Sequence, residues 1–143
     1  MKISDARELY FSLKTIFLHI DDYEKAFLSQ YDLTIPRFFI LEHIHENPGI
    51  SYKELSVRLL CTKGNTTRVV GSMLEDGFVV RKTNSGDRRS FHLYLTKKGD
   101  SLFKEVSRDY DQYIHRLMSK FDEDQLLNYI DVSNLIENTL KPK

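Results

Sequence analysis

The chain has 143 residues, and its 21 lysines and arginines balance its 21 aspartates and glutamates, so its formal net charge is zero. Hydrophobic residues make up 41% of it and charged residues 29%, a composition typical of soluble globular proteins. No apolar run approaches the roughly 20 residues of a membrane-spanning helix. The N-terminus lacks the build of a secretory signal, and a single cysteine excludes an internal disulfide framework, so we expect a cytoplasmic protein.

Two helices are predicted in the first third of the chain. Apolar residues recur at steps of three and four from Ser4 to Gln30, which predicts a long first helix. Thr34 is a suitable N-cap for a second helix, which tolerates Pro36 in its first turn. The Asn-Pro-Gly sequence at 47–49 ends that helix.

Two shorter helices follow, joined by a tight turn. The spacing of Ser51 and Glu54 is that of a capping box and predicts the start of a third helix. Thr62 is predicted to cap a fourth helix that ends at Gly77. The third helix would supply apolar surface from Leu55, Val57, Leu59 and Leu60, and the fourth would bury Thr66, Val69, Val70, Met73 and Leu74. Glycines and β-branched residues give the fourth helix poor propensity, so tertiary packing would have to hold it.

A β-hairpin and two further helices complete the chain. Residues 78–82 and 90–95 favour strands on either side of a turn-rich tip of four or more residues. Thr96 is predicted to cap a long fifth helix, and the acidic segment 121–125 opens a sixth. The predicted order is α-α-α-α-β-β-α-α, a mainly α (α+β) fold.

The zero net charge hides a basic middle. Residues 58–98 contain nine lysines and arginines against three acidic residues, whereas the rest of the chain contains 12 against 18. One basic surface within acidic flanks is typical of a protein that meets a polyanion.

Two short helices followed by a hairpin predict a winged helix-turn-helix, in which the fourth helix enters the DNA major groove. Its first turns contain residue types that reach base edges or phosphates: Thr62, Lys63, Asn65, Thr67 and Arg68. Gly64 would let the helix backbone approach DNA closely. The wing carries Arg81, and its tip presents Arg88 and Arg89 to a minor groove, whose negative potential attracts cations. Lys97 and Lys98 fit a phosphate contact or a solvated surface equally well.

These segments resemble the MarR family of transcriptional regulators. The family's wing pattern is an aspartate and an arginine followed by Leu-x-Leu-Thr and a glycine, present here as Asp87, Arg89, Leu93, Leu95, Thr96 and Gly99. Residues 54–81 are similar to the family's helix-turn-helix, although Leu60 and Gly64 stand where glycine and serine are common. The resemblance implies that Arg89 probes the minor groove and that Asp87 helps to hold the wing. Arg88 is an equal candidate for the groove.

The resemblance also implies a homodimeric regulator that binds a palindromic operator in double-stranded DNA. Of the two signs of regulation, we predict repression. The first, fifth and sixth helices are more apolar than a small core can bury, which agrees with an isologous interface. We therefore predict a single MarR-type domain over 1–143. Dimerisation helices would occupy 1–32 and 99–143, and the winged helix-turn-helix would occupy 33–98. A membrane partner is not expected.

Two kinds of effector remain open at the level of sequence. Many members of the family bind small aromatic ligands, and a pocket between the dimer helices and the winged region could be lined by Tyr10, Phe11, Phe17, Phe38, Phe39, Tyr110 and Tyr113. Ordinary core packing explains the same residues. Cys61 precedes a helix N-terminus, a position where thiols become reactive, which makes a redox-sensing regulator the alternative. A buried cysteine is also a common apolar filler.

No cofactor, metal site or enzymatic activity is predicted. His43 and His45 are two residues apart and face different directions on a helix, and no other cluster has the spacing of metal ligands. The chain contains no nucleophile–base spacing and no phosphate loop. A winged-helix module that binds an acidic protein is a further alternative, against which the base-reading residue types at 62–68 argue.

Overall fold

The computed structural model describes residues 1–59, 63–84 and 86–142, and only the backbone of residues 63, 84 and 87–89. Helices and strands follow in this order: α1 (Ile3–Ser29), α2 (Ile35–Glu46), β1 (Ile50–Ser51), α3 (Tyr52–Arg58), α4 (Lys63–Glu75), β2 (Val79–Asn84), β3 (Asp87–Leu95), α5 (Lys97–Met118) and α6 (Glu123–Leu140). The predicted fold class and element order are confirmed. The structure adds β1, whose two residues are too few to show a strand periodicity in sequence.

The predicted starts of α2, α3 and α6 are confirmed by side-chain caps, whereas the predicted cap of α4, Thr62, lies outside the described residues. Thr34 accepts a hydrogen bond from the Arg37 amide at 3.4 Å, and Ser51 accepts one from the Glu54 amide at 3.1 Å. Asp122 accepts a hydrogen bond from the Gln125 amide at 2.8 Å and so opens α6 in the acidic segment. Each cap satisfies an amide that the first turn of a helix leaves without a partner.

The three strands form an antiparallel sheet in the order β1-β3-β2. Pairing runs from Val79 opposite Leu95 to Asn84 opposite Asp87, with an irregularity between Thr83 and Asn84. The prediction of a tip of four or more residues is therefore wrong, because only positions 85 and 86 separate the two strands. The two strands continue beyond their apolar residues because backbone hydrogen bonds hold them together there. This part of the hairpin needs no buried face, so its sequence shows no apolar alternation.

A first compact unit, Met1–Ser107, contains the hydrophobic core. The side chains that are buried to less than 2% exposure come from α1, α2, α3, α4, the sheet and the first turns of α5: Leu28, Phe38, Ile40, Leu41, Ile44, Leu55, Thr66, Val70, Met73, Val79, Leu93 and Val106. Val69 is also buried, and Leu74 is half-buried. Val57 was expected to supply apolar surface but is 67% exposed, because the short α3 turns only Leu55 and Ser56 inward.

Two helices leave most of their apolar side chains uncovered within the chain. In α1 only Phe27 and Leu28 are buried, both near its C-terminal end. The second compact unit, Arg108–Lys143, contains α6, which buries no residue. The exposed apolar residues of these two helices include Leu9, Ile16, Phe17, Ile20, Leu127, Ile130 and Leu135.

The C-terminal end of α4 meets the first turn of α5 at close quarters. Gly77 ends α4 with a φ of 78°, and the Phe78 amide donates to the Met73 carbonyl at 3.0 Å. The Thr96 amide donates to the Phe78 carbonyl at 3.0 Å, and the Thr96 hydroxyl donates to the Gly77 carbonyl at 2.7 Å. A Cβ at Gly99 would lie 2.1 Å from the Phe78 carbonyl oxygen, so only glycine fits there.

We expect Gly99→Ala to destabilise the fold by about 1–3 kcal/mol, because its methyl group collides with backbone that cannot move aside cheaply. Gly71→Ala is the matched control: a Cβ at Gly71, inside α4, meets none of the described atoms within 4 Å. That variant should gain about 0.5–1 kcal/mol from helix propensity. Urea unfolding of both variants measures the difference, and equal midpoints would contradict the proposed collision.

Candidate nucleic-acid interface

The helix α4 turns one side to the core and the other to solvent. Thr66 is 1% exposed and packs inward, as the sequence predicted. Gly64, Asn65, Thr67 and Arg68 are all exposed on the remaining surface. The Arg68 guanidinium donates a hydrogen bond to the Asn65 side-chain oxygen at 2.9 Å. Two side-chain types suited to base edges are thus held together on the exposed side of one helix.

The strands of the wing carry cations that lie over aromatic rings. The Arg81 guanidinium carbon is 4.7 Å from the centre of the Phe91 ring, and the Lys82 ammonium is 4.9 Å from the centre of the Tyr94 ring. Since successive residues of a strand point to opposite faces, these two cations serve opposite sides of the wing. Contact with a ring supports each exposed cation without neutralising its charge.

A groove of about 330 Å³ separates the helix-turn-helix from the wing. Its lining is polar, basic and aromatic: Ser51, Tyr52, Lys53, Thr67, Arg81, Ser90 and Phe91. The structure therefore brings together Thr67 and Arg81, which are predicted site residues from different elements. It adds Tyr52 and Lys53, which sequence reasoning missed. The capping box places the start of α3, but nothing in the sequence indicates which element its first turn would face.

Several predicted site residues lie partly or wholly outside the described part of the structure. Cys61 and Thr62 fall within the gap before α4, and Lys63 is known here only as the first backbone position of that helix. Asp87, Arg88 and Arg89 begin β3, again through their backbone alone. The roles assigned to these side chains stay predictions.

The two neighbouring histidines of α2 occupy different surroundings. The Nδ1 atom of His43 is buried and has no hydrogen-bond partner among the described residues, and burial lowers the pKa of this side chain below its ordinary value. Nearby Glu46 opposes that shift and Arg58 adds to it. His45 instead places its Nδ1 atom 3.0 Å from an Asp100 carboxylate oxygen. No group of three His, Cys, Asp or Glu side chains within the described ranges could hold a metal ion.

The fold and the exposed side of α4 define a winged helix-turn-helix protein. Residues 33–91 match the model of the MarR family of transcriptional regulators. Its members are not enzymes, which confirms the prediction made from sequence. Within the described residues, no helix is both long and apolar enough to cross a membrane.

Curated regulators and solved structures are also similar to the chain. The regulator BilQ of Clostridioides difficile is 26% identical over 96 residues, which are 67% of this chain and 65% of that protein. A Staphylococcus aureus MarR, solved with salicylate and kanamycin, has a TM-score of 0.84 at 23% identity, over 99% of this chain and 96% of that one. S. aureus MepR, solved with DNA, has a TM-score of 0.82 at 16% identity, over 92% and 96%. At these identities the structures establish the fold.

We expect Gly64→Ala to weaken DNA binding without destabilising the protein. A Cβ at Gly64 meets nothing within 4 Å among the described residues, so we expect the cost of the methyl group to arise where a ligand approaches the helix backbone. Gly71→Ala adds the same group in the same helix, two turns further from the N-terminal end, and should bind DNA as the wild type does. Fluorescence anisotropy with one duplex compares them, and equal affinities would remove Gly64 from the interface.

Proposed function

We propose that the chain is a sequence-specific DNA-binding regulator that acts as a homodimeric repressor on a palindromic operator. The observation that carries this proposal is the exposed side of α4, which presents Asn65, Thr67 and Arg68. Thr67 also lines the groove, together with Lys53 and Arg81. A helix of this kind beside a cationic wing suits simultaneous contact with a major groove and the adjacent backbone. MepR, which has the same fold, is solved with DNA.

Selection of bound sequences from a random duplex pool tests the proposal directly. A homodimer with two copies of α4 should select a palindrome whose half-sites are about one helical turn apart, roughly 34–36 Å. An enriched sequence without two-fold symmetry would contradict the homodimeric part of the proposal. No enrichment at all, with binding to an acidic protein partner instead, would favour the interaction-module alternative.

Arg68→Ala and Arg89→Ala should weaken binding to the selected sequence in different ways. We expect Arg68→Ala to relax the base preference at one position in each half-site, since the Arg68 guanidinium lies beside Asn65 on the exposed side of α4. Arg89→Ala should lower the salt dependence of the binding constant by about one unit of slope, because a lost wing cation releases fewer counterions. Affinity at several salt concentrations separates the two effects. An unchanged slope in Arg89→Ala would remove that residue from the interface.

The proposed dimer would cover the apolar surfaces of α1 and α6. Phe17 is 64% exposed and Leu127 is 67% exposed, and each belongs to a helix that buries little or nothing within its own chain. Exposed apolar side chains in such number are typical of protein–protein interfaces. Their location at both ends of the chain agrees with the dimerisation segments predicted at 1–32 and 99–143.

Leu127→Glu should shift the protein from dimer to monomer, because a carboxylate placed in an apolar interface loses its hydration without gaining a partner. Val57→Glu is the matched control, since Val57 is equally exposed, at 67%, but lies on α3 outside the proposed interface. Sedimentation velocity over a range of concentrations measures both. A wild type that sediments as a monomer would overturn the dimer.

Release by a small aromatic effector completes the proposal and depends on the family resemblance and on the S. aureus MarR solved with salicylate. Phe38 is completely buried in the core of the first unit and packs against Phe103, with 6.1 Å between ring centres. Its side chain therefore serves packing rather than a pocket wall. Tyr10, Phe11 and Phe17 on α1 are exposed and stay available to a ligand or a second copy. A redox role for Cys61 stays a prediction.

A further inference from the structure

The segment that leaves α4, Asp76 to Phe78, is held from two sides; we refer to it as the α4 exit. On one side lies α2, whose first turn contains Arg37. On the other lies α5, whose first turn contains Lys98. Both cations approach the ring of Phe78, with the Arg37 guanidinium carbon 5.9 Å and the Lys98 ammonium 4.4 Å from its centre.

Arg37 ties the α4 exit to α2. Its guanidinium forms an ion pair with the Asp76 carboxylate, and the same nitrogen lies 3.4 Å from the Ser72 hydroxyl, one helical turn earlier in α4. The Arg37 side chain is only 17% exposed, whereas that of Asp76 is 51% exposed. A mostly buried guanidinium with these partners acts as a fixed point on the last turn of α4.

Lys98 ties the same segment to α5. Its ammonium donates a hydrogen bond to the Asp76 backbone carbonyl at 2.9 Å, one of the carbonyls that a helix end leaves without an internal partner. The side chain of the neighbouring Lys97 is exposed and forms no hydrogen bond or ion pair with any described residue. These two adjacent lysines therefore differ in their contacts, although the sequence analysis predicted the same alternatives for both.

We propose that Lys98 and Arg37 are positioning residues for DNA binding, which fix the C-terminal end of α4 between α5 and α2. The proposal rests on the proposed function of a homodimer on palindromic DNA. A helix of 13 residues is about 20 Å long, so a tilt of about 10° at its exit would move its other end by about 3 Å. That displacement is comparable to the length of a hydrogen bond to a base edge. Lys98 thus contributes to half-site spacing without touching phosphate.

The test compares Lys98→Met and Arg37→Met with the matched control Lys97→Met. Each variant is titrated with the selected operator and with two altered operators, in which one base pair is inserted or deleted between the half-sites, at several salt concentrations. One base pair changes the rotation between half-sites by about 35°. Methionine preserves an unbranched apolar side chain and removes the charge.

We expect Lys98→Met and Arg37→Met to lose about threefold to thirtyfold in affinity for the selected operator and to discriminate less between the three spacings. Their salt dependence should equal that of the wild type, because no phosphate contact is removed. Lys97→Met should keep the wild-type spacing preference. A Lys98→Met variant with a lower salt slope and an intact spacing preference would identify Lys98 as a phosphate contact and overturn the proposal. A Lys98→Met variant that binds all three operators as the wild type does would overturn it as well.

Loss of stability alone is excluded with Ile44→Val, a core variant that should lower the melting temperature but leave spacing preference intact. Failure of the proposed function has a different signature, since the wild type would then select no sequence. In that case amide hydrogen exchange at Gly77 and Phe78 decides the positioning claim. Faster exchange in Lys98→Met than in Lys97→Met supports it, and equal exchange overturns it.

Discussion

Burial of the inner side of α4 against α2, α3 and β2 is the interaction on which the rest of the DNA-binding region depends. The helix contains two glycines and four β-branched residues among its 13, so its intrinsic tendency to be helical is weak. Its inner residues Thr66, Val70 and Met73 are almost completely buried and supply the missing stability. The same contacts determine which side chains of α4 face solvent. The stability of the helix and the exposure of Asn65 and Arg68 therefore have one cause.

The contacts of the segment that follows α4 fix the position of the wing relative to that helix. Only three residues separate the last turn of α4 from the first residue of β2. Thr96 and Lys98 donate hydrogen bonds to carbonyls of these residues, and Gly99 lies directly against the Phe78 carbonyl. All three lie in or next to the first turn of α5. Because β2 starts at this fixed point and pairs with β3, the groove between α4 and the wing follows from the same anchoring.

The basic middle of the chain is not a uniform field of phosphate contacts. Lys98 satisfies a carbonyl at a helix end, and Arg81 lies over the Phe91 ring, so some cations have a structural partner as well as a charge. Arg37, outside the basic stretch, forms the ion pair that fixes Asp76. Charge asymmetry in a sequence therefore locates a surface, and the contacts of each side chain then decide which cations are free to meet DNA.

Local signals in the sequence determined the helix starts at Thr34 and Ser51, the end of α4 at Gly77 and the existence of the hairpin. Caps, glycine turns and alternating residues act over a few positions, so they can be recognised without tertiary information. Tertiary structure alone decided that Val57 faces solvent, that β1 pairs with β3, and that Tyr52 and Lys53 share a groove with Arg81. Tertiary structure also decided that the Lys98 ammonium bonds to the Asp76 carbonyl, whereas the Lys97 side chain has no such partner among the described residues. Such outcomes depend on which distant segment packs against a residue, and local propensity carries no information about that.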